Sequence, residues 1–392
     1  MYKENSTFAQ LLQLVDRLGF DNSVKKTSSD KRYRNFTTRT QLAAMIFAQL
    51  TKQTGLRSLE NSFKAESDLY HAGIKGNISR ATLSYANNHR DSKVFEDFYF
   101  RLLDYYKKLV DPSLMKSEGK NLKLIDATVI PLCKNLCEWA EFRSTKSGIK
   151  VHVRYDYDES CPDYLFMTNA NKHENSTLAD MKLCENDIAV FDRGYFNSLQ
   201  FNKFCETDIQ FVTRIKSNIS YSVCDVFGTD GMETNKFIIL KDKLIYFSKG
   251  KAAKNCSKTL RLVISQDKEN GETITLLTNI MNRNALDIAK IYKKRWTIEL
   301  FFKCIKQNLR IKKFYGLSEK AVKTQIWIAL IVYMLFLILK AEYRDNKRTF
   351  SNFCSEIGVR LFIHEKLQSW FCFKYSEKSK PKKSTFLEFD FG

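Results

Sequence analysis

Proline and glycine are scarce in this sequence, with 4 and 14 residues in 392. So few chain breakers exclude long low-complexity linkers. No Cys-x-x-Cys pair occurs among the ten cysteines. Cys133 and Cys137 stand four apart, but no Cys/His pair at ligand spacing follows them, which argues against structural zinc. Thiols scattered along the chain suit a reducing compartment. The segment from Met1 to Asp16 has no cationic flank leading into an apolar run, so no signal peptide is expected. The most apolar stretch, Ile326 to Leu339, has 14 residues. That falls short of the roughly 18–20 needed to cross a bilayer and predicts a buried core helix. The expectation is a cytoplasmic protein with no membrane partner. Acidic residues are also in deficit, 44 against 64 Lys plus Arg, for a net charge of +20. With 44% hydrophobic and 13% aromatic residues the chain can build cores, which excludes a disordered basic protein. Charge of this size on a packed chain points to a polyanion, most simply nucleic acid. Charge that merely keeps the protein soluble is the plainer alternative.

Residues 1–118 read as a helical domain. Phe8, Leu11, Leu12 and Val15 recur at helical spacing, as do Leu42, Met45, Ile46 and Leu50. Ser79, Arg80, Thr82, Ser84, Asn87 and Asn88 lie between Ile78 and His89, on a short helix that either reads a DNA groove or is a capped surface helix. Lys25, Lys26, Lys31, Arg32, Arg34 and Arg39 add a basic loop. From Leu122 the period changes to that of strands. Leu122–Ile130, Ile149–Tyr157 and Tyr164–Ala170 predict a meander. A helix over Glu174–Cys184, a strand at Ile188–Phe191, a helix over Leu199–Cys205 and a strand at Ile209–Ile215 follow. This order predicts an α/β, ribonuclease-H-like core, its first part spanning 119–217. Residues 218–284 read as a β-rich insertion, with strands at Phe237–Leu240, Leu244–Phe247, Leu260–Ile264 and Thr273–Leu277. Helices over Ala285–Lys312 and Ala321–Glu342 place the second part of the core at 285–345. Residues 346–392 form a C-terminal segment with a basic tail at 378–383.

Asp126 interrupts an apolar strand, and Asp192 closes another just before Arg193-Gly194-Tyr195. A buried acid is costly unless it is paired or bound to metal, and strand ends before a glycine turn are where open α/β sheets place ligands. Each Asp alone reads as a cap or ion-pair partner. Two on adjacent strands suit a hard divalent ion. On the helix from Tyr292 to Arg310, the residues Tyr292, Arg295, Glu299, Lys303, Lys306 and Arg310 are spaced 3, 4, 4, 3 and 4 and so share one face. Ile298, Phe301, Phe302, Ile305 and Leu309 form the opposite face, and Trp296 is expected to pack in the core. Glu299 is either a helix ion-pair partner of Arg295 and Lys303 or a third metal ligand amid cations that grip phosphates.

Tyr292-x-x-Arg295-x-x-x-Glu299-x-x-x-x-x-x-Lys306 resembles the Tyr-Arg-Glu-Lys signature of DDE transposases of the insertion-sequence-four family. Ile125-Asp126-Ala127-Thr128 and Asp192-Arg193-Gly194-Tyr195 resemble its two Asp motifs. The resemblance covers roughly residues 120 to 345. It implies that Asp126, Asp192 and Glu299 are catalytic and hold two Mg²⁺ or Mn²⁺ ions. Tyr292, Arg295 and Lys306 would then bind the phosphates of double-stranded DNA ends, with Lys303 and Arg310 on the same stripe. It further implies cut-and-paste transposition by a homodimer that synapses two element ends, and an aromatic residue that traps a flipped base. The insertion has no Trp, and Tyr221, Tyr246 and Phe247 all stay open for that role. A nuclease on the same core that does not join strands, or a non-catalytic DNA-binding protein, are the alternative functions.

Overall fold

A computed structural model of the chain describes residues 5–31, 35–66, 68–71, 73–74, 78–110, 121–132, 138–143, 146–229, 232–345 and 347–372. Arg32, Arg34, Cys133, Cys137, the boundary at 118 and the basic tail lie outside them. The chain forms two compact units, one from Met1–Asp111, Pro131–Ala140 and Phe301–Gly392, the other from Pro112–Ile130 and Glu141–Leu300.

The first unit is helical. Its N-terminal elements are α1 (Thr7–Arg17), α2 (Phe20–Thr27), α3 (Thr38–Leu50), α4 (Leu56–Ala65), α5 (Asp68–His71), α6 (Arg80–His89) and α7 (Lys93–Leu109). Ser6, Thr37 and Ser79 cap α1, α3 and α6 by accepting a backbone N–H three residues on. These helices share their core with elements from the other end of the chain. The longest of those is the 24-residue helix Glu319–Glu342, which packs on α3, α6 and α7. By length and composition it could cross a membrane, yet 94% of its most apolar window is buried among protein. The core-helix expectation for Ile326–Leu339 thus agrees with its surroundings.

The second unit is built on one sheet. Its strands are β1 (Asn121–Leu132), β2 (Glu141–Arg143), β3 (Lys146–Asp156), β4 (Cys161–Asn169), β5 (Asp187–Phe191), β6 (Gln210–Arg214), β7 (Tyr221–Phe227), β8 (Phe237–Phe247), β9 (Leu260–Asp267) and β10 (Thr273–Thr278). The spatial order runs β3-β1-β5-β6-β10-β9-β8-β7, with β2 and β4 on the outer side of β3. β3 and β4 are antiparallel, while β1, β5 and β6 are parallel. Helix α8 (Ser198–Glu206) connects β5 to β6. The order β4-β3-β1-β5-β6 is the ribonuclease-H-like core the sequence predicts. β5 is buried along its whole length, as a parallel strand covered on both faces must be. The strands of the β-rich segment continue this same sheet, because β10 pairs with β6. They also include the short helix α9 (Gly250–Asn255).

Three local expectations are corrected. Residues 174–184 form two short 3-10 turns, Glu174–Ser176 and Leu178–Met181, not a helix. Ser176 Oγ donates to the His173 carbonyl at 2.7 Å and Thr177 Oγ1 to that of Glu174 at 2.8 Å, and left-handed Lys182 ends the run. The charged Lys241-Asp242-Lys243 does not separate two strands: it lies inside β8, because Asp242 is buried against Arg261 at 2.6 Å. The helix over 285–312 is broken into α10 (Ala285–Lys293) and α11 (Trp296–Asn308). Tight turns join them, with Arg295 N–H bonded to Tyr292 O at 3.0 Å and Thr297 N–H to Lys294 O at 3.0 Å. The remaining helices of the first unit are α12 (Glu319–Glu342), α13 (Phe350–Arg360) and α14 (Leu367–Cys372).

Candidate active site

The register of the parallel core places the acids. Ile125 pairs with Phe191 at the end of the β1–β5 ladder, so Asp126 and Asp192 are the next residues on each strand, side by side. Both strands run the same way, so equal register puts the two carboxylates on one face. Asp192 then caps the turn Arg193–Tyr195: its Oδ1 accepts the Gly194 N–H at 2.7 Å, and its carbonyl accepts Thr213 Oγ1 at 3.2 Å. Asp126 Oδ1 accepts the N–H of Ala127 at 2.8 Å.

Glu299 comes from the first turn of α11, and Arg295 links it to the strands. One guanidinium nitrogen lies 2.5 Å from Glu299 Oε1 and the other 3.5 Å from Asp126 Oδ2. A single cation therefore bridges two of the acids, and the charge of the third, Asp192, acts on Asp126. Burial, reinforced by the negative charges of Asp192 and Glu299, pushes the Asp126 carboxyl up to about 7 against the pull of Ala127 and Arg295. Among the described residues no three Asp, Glu, His or Cys side chains already stand at ligating distance. The guanidinium bridges Asp126 and Glu299 instead.

Tyr292 is buried, with the Arg295 guanidinium 5.7 Å from its ring centroid. Both line a cavity of about 280 Å³ with Arg214, Phe237, Asp267, Glu272, Lys293 and Trp296. Trp296 is 59% exposed, which corrects the core-packing expectation: it sits on the first residue of α11, just past the break. Of the aromatics left open for base trapping, Phe247 is buried in the hydrophobic core of the sheet, while Tyr221 and Tyr246 are exposed. Lys303, Lys306 and Arg310 belong to the helical unit. Lys303 is exposed and Lys306 half-buried. The Arg310 N–H donates to Gln49 Oε1 at 2.6 Å and its guanidinium to the Lys52 carbonyl. Asp126, Asp192, Tyr292, Arg295 and Glu299 are thus gathered in one unit, and the three cations farther along the stripe are outside it. Sequence reasoning missed Glu174, whose carboxylate reaches the Asp192 turn. No spacing rule marks an acid in a loop, although Gly194 beside it was visible.

In a chain of net charge +20, three acids thus stand where the neighbouring parallel strands β1 and β5 of a ribonuclease-H-like sheet meet the first turn of α11. Residues 117–335 match the family described as Transposase DDE domain, and residues 3–75 match a domain of unknown function, DUF4372. A Sinorhizobium fredii protein named as transposase y4zB is 34% identical over 65% of this chain and 70% of its own length. A Geobacillus stearothermophilus protein named as a transposase for insertion sequence element IS5377 is 29% identical over 63% of this chain and 64% of its own. The cryo-EM structure of a piggyBac transposase synaptic complex with hairpin DNA aligns with a TM-score of 0.44 at 11% identity, over 95% of this chain and 83% of that one. The chain belongs to the DDE transposase family, and so to the enzymes that act on DNA.

Proposed function

We propose that this transposase binds the ends of its insertion sequence, cuts them and joins them to target DNA, with Asp126, Asp192 and Glu299 as its catalytic acids. The observation that carries this reading is the register that sets Asp126 beside Asp192, with Glu299 tied to Asp126 through Arg295. The three acids fit divalent ions on two counts. Their donors are all carboxylate oxygens, as Mg²⁺ and Mn²⁺ prefer. Burial first, and then the charges of Asp192 and Glu299, raise the Asp126 carboxyl against the pull of Arg295, so a cation brought to the cluster is favoured. Two such ions, when bound, would supply the positive charge that assists in-line displacement at phosphorus.

The chain's own residues supply position and phosphate contacts. The cap from Asp192 to Gly194 and the Thr213 bond fix the Asp192 carboxylate against the end of β5. Arg295 holds Asp126 and Glu299 and lies beside the Tyr292 ring, where the pair would meet a DNA phosphate. Lys303, Lys306 and Arg310, on the helical unit, are assigned to DNA phosphates as well. Two ends must be held together for joining, so a homodimer acting on chromosomal DNA in the cytoplasm is the working unit.

The test is labelled DNA carrying the ends that flank the protein's own gene, incubated with and without Mg²⁺. Metal-dependent cleavage at the element boundary and transfer of a supplied 3′-hydroxyl end to target DNA are expected. Cleavage without transfer would leave a nuclease, and specific binding without cleavage in Mg²⁺ or Mn²⁺ would leave a DNA-binding protein.

A further inference from the structure

A fourth carboxylate approaches the centre from the Asp192 side. Glu174 opens the turn after β4, and Lys150 holds its Oε1 at 3.2 Å while donating to the Lys172 carbonyl at 2.9 Å. The other oxygen faces Gly194. A Cβ at position 194 would stand 2.3 Å from Glu174 Oε2 and 2.9 Å from Asp192 Oδ1. Two carboxylate oxygens from separate loops thus converge on one small space. Gly194 is not in the left-handed region, and the absence of a side chain there leaves room for both carboxylate oxygens.

An independent feature points into the same spot. Tyr195 is 0% exposed, and among the described residues its hydroxyl has no hydrogen-bond partner. Its ring packs in the core of the sheet beside Phe191, and its hydroxyl is a buried donor short of an acceptor. Orphaned groups of this kind are rare in folded proteins.

We propose that Glu174 is a further carboxylate of the metal centre, binding a divalent cation together with Asp192, while the Tyr195 hydroxyl donates into the same cluster and fixes its geometry. This rests on the reading of Asp192 as an ion-holding residue. The plainer account makes Glu174 only the ion-pair partner of Lys150, and the two accounts differ in what Mn²⁺ does.

Titrating the full-length protein, free of DNA, with Mn²⁺ by calorimetry separates them. Glu174→Gln is expected to weaken Mn²⁺ binding by about 10–100-fold, with melting in chelator unchanged. Lys150→Met, which removes the ion-pair partner of Glu174 and leaves its carboxylate, is not expected to weaken that binding. Should Glu174→Gln fail to fold, Glu174→Asp asks the same question with the charge kept, and a weaker Mn²⁺ affinity is again expected. Undiminished affinity in the Glu174 variants, with Asp192→Asn defective, overturns the Glu174 proposal alone. Undiminished affinity in Asp192→Asn as well overturns both this proposal and the ion-holding role of the catalytic acids.

Discussion

Lys123 and Asp126 lie three residues apart on β1 and so face opposite sides of the sheet. On the Lys123 side, Nζ reaches Asp156 and, at 2.9 Å, Asp163, while Arg154 Nε holds Asp163 Oδ1 at 2.8 Å. Asp156 and Asp163 share Lys123, and Arg154 adds a second cation to Asp163. Burial would raise Asp163, but Lys123 and Arg154 outweigh it and keep its carboxyl below the ordinary range. On the Asp126 side, burial wins and the carboxyl rises to about 7. The same strand therefore carries one cluster whose charges are settled within the protein and one left negative. The settled cluster is architecture, and the unsettled one is where we propose that an outside cation binds.

The largest effect is expected at the unsettled cluster. Asp126→Asn, Asp192→Asn or Glu299→Gln should each reduce end cleavage on the order of 1,000-fold or more while end binding in a gel-shift assay persists. Retained Mg²⁺-dependent nicking would remove that residue from the catalytic set. At the settled cluster, Asp163→Asn should cost about 3–5 kcal/mol in urea unfolding, because Lys123 and Arg154 lose a buried partner. Its pH signature follows from the lowered carboxyl. The stability it contributes is present above the unfolded value near 3.8 and is lost as pH falls through the lower folded value, and Asp163→Asn should erase that acid limb. A smaller effect is expected on the helical unit, where Lys306→Ala should weaken end binding and flatten its salt dependence by about one phosphate contact. The smallest belongs to Trp296→Ala. An exposed side chain should move unfolding free energy by no more than about 0.5 kcal/mol, and a loss of several kcal/mol would return Trp296 to the core.

The acids were legible because a carboxylate inside an apolar strand is a local anomaly that needs no knowledge of the fold. The register that joins Asp126 to Asp192 was legible only as adjacency, since residue spacing does not encode which strands pair. The break before Trp296 was hidden for another reason. Neither Gly nor Pro marks Lys294 or Arg295, so periodicity counted straight through a turn set by tertiary contacts, and the exposure of Trp296 went with it. Charge misled once, at Lys241-Asp242-Lys243, where a polar triplet that resembles a turn is a strand whose Asp is neutralised by Arg261, nineteen residues on. Glu174 was invisible because its meaning lies in what Gly194 leaves empty.

The first helix is fastened to the last part of the described chain. The N–H groups of Thr7 and Phe8 donate to the carbonyls of Ile363 and Leu361 at 2.9 and 2.8 Å, and the Leu367 N–H donates to Gln10 Oε1 at 3.0 Å. During synthesis at about 5–20 residues per second, α1 emerges roughly 20–70 s before those partners exist. A message cut short, or a ribosome that stalls before the final helices, would leave the N-terminal helices without much of their core and open to proteases. Ending the chain upstream of α13 would strip α1 of these partners while leaving Asp126, Asp192 and Glu299 in place.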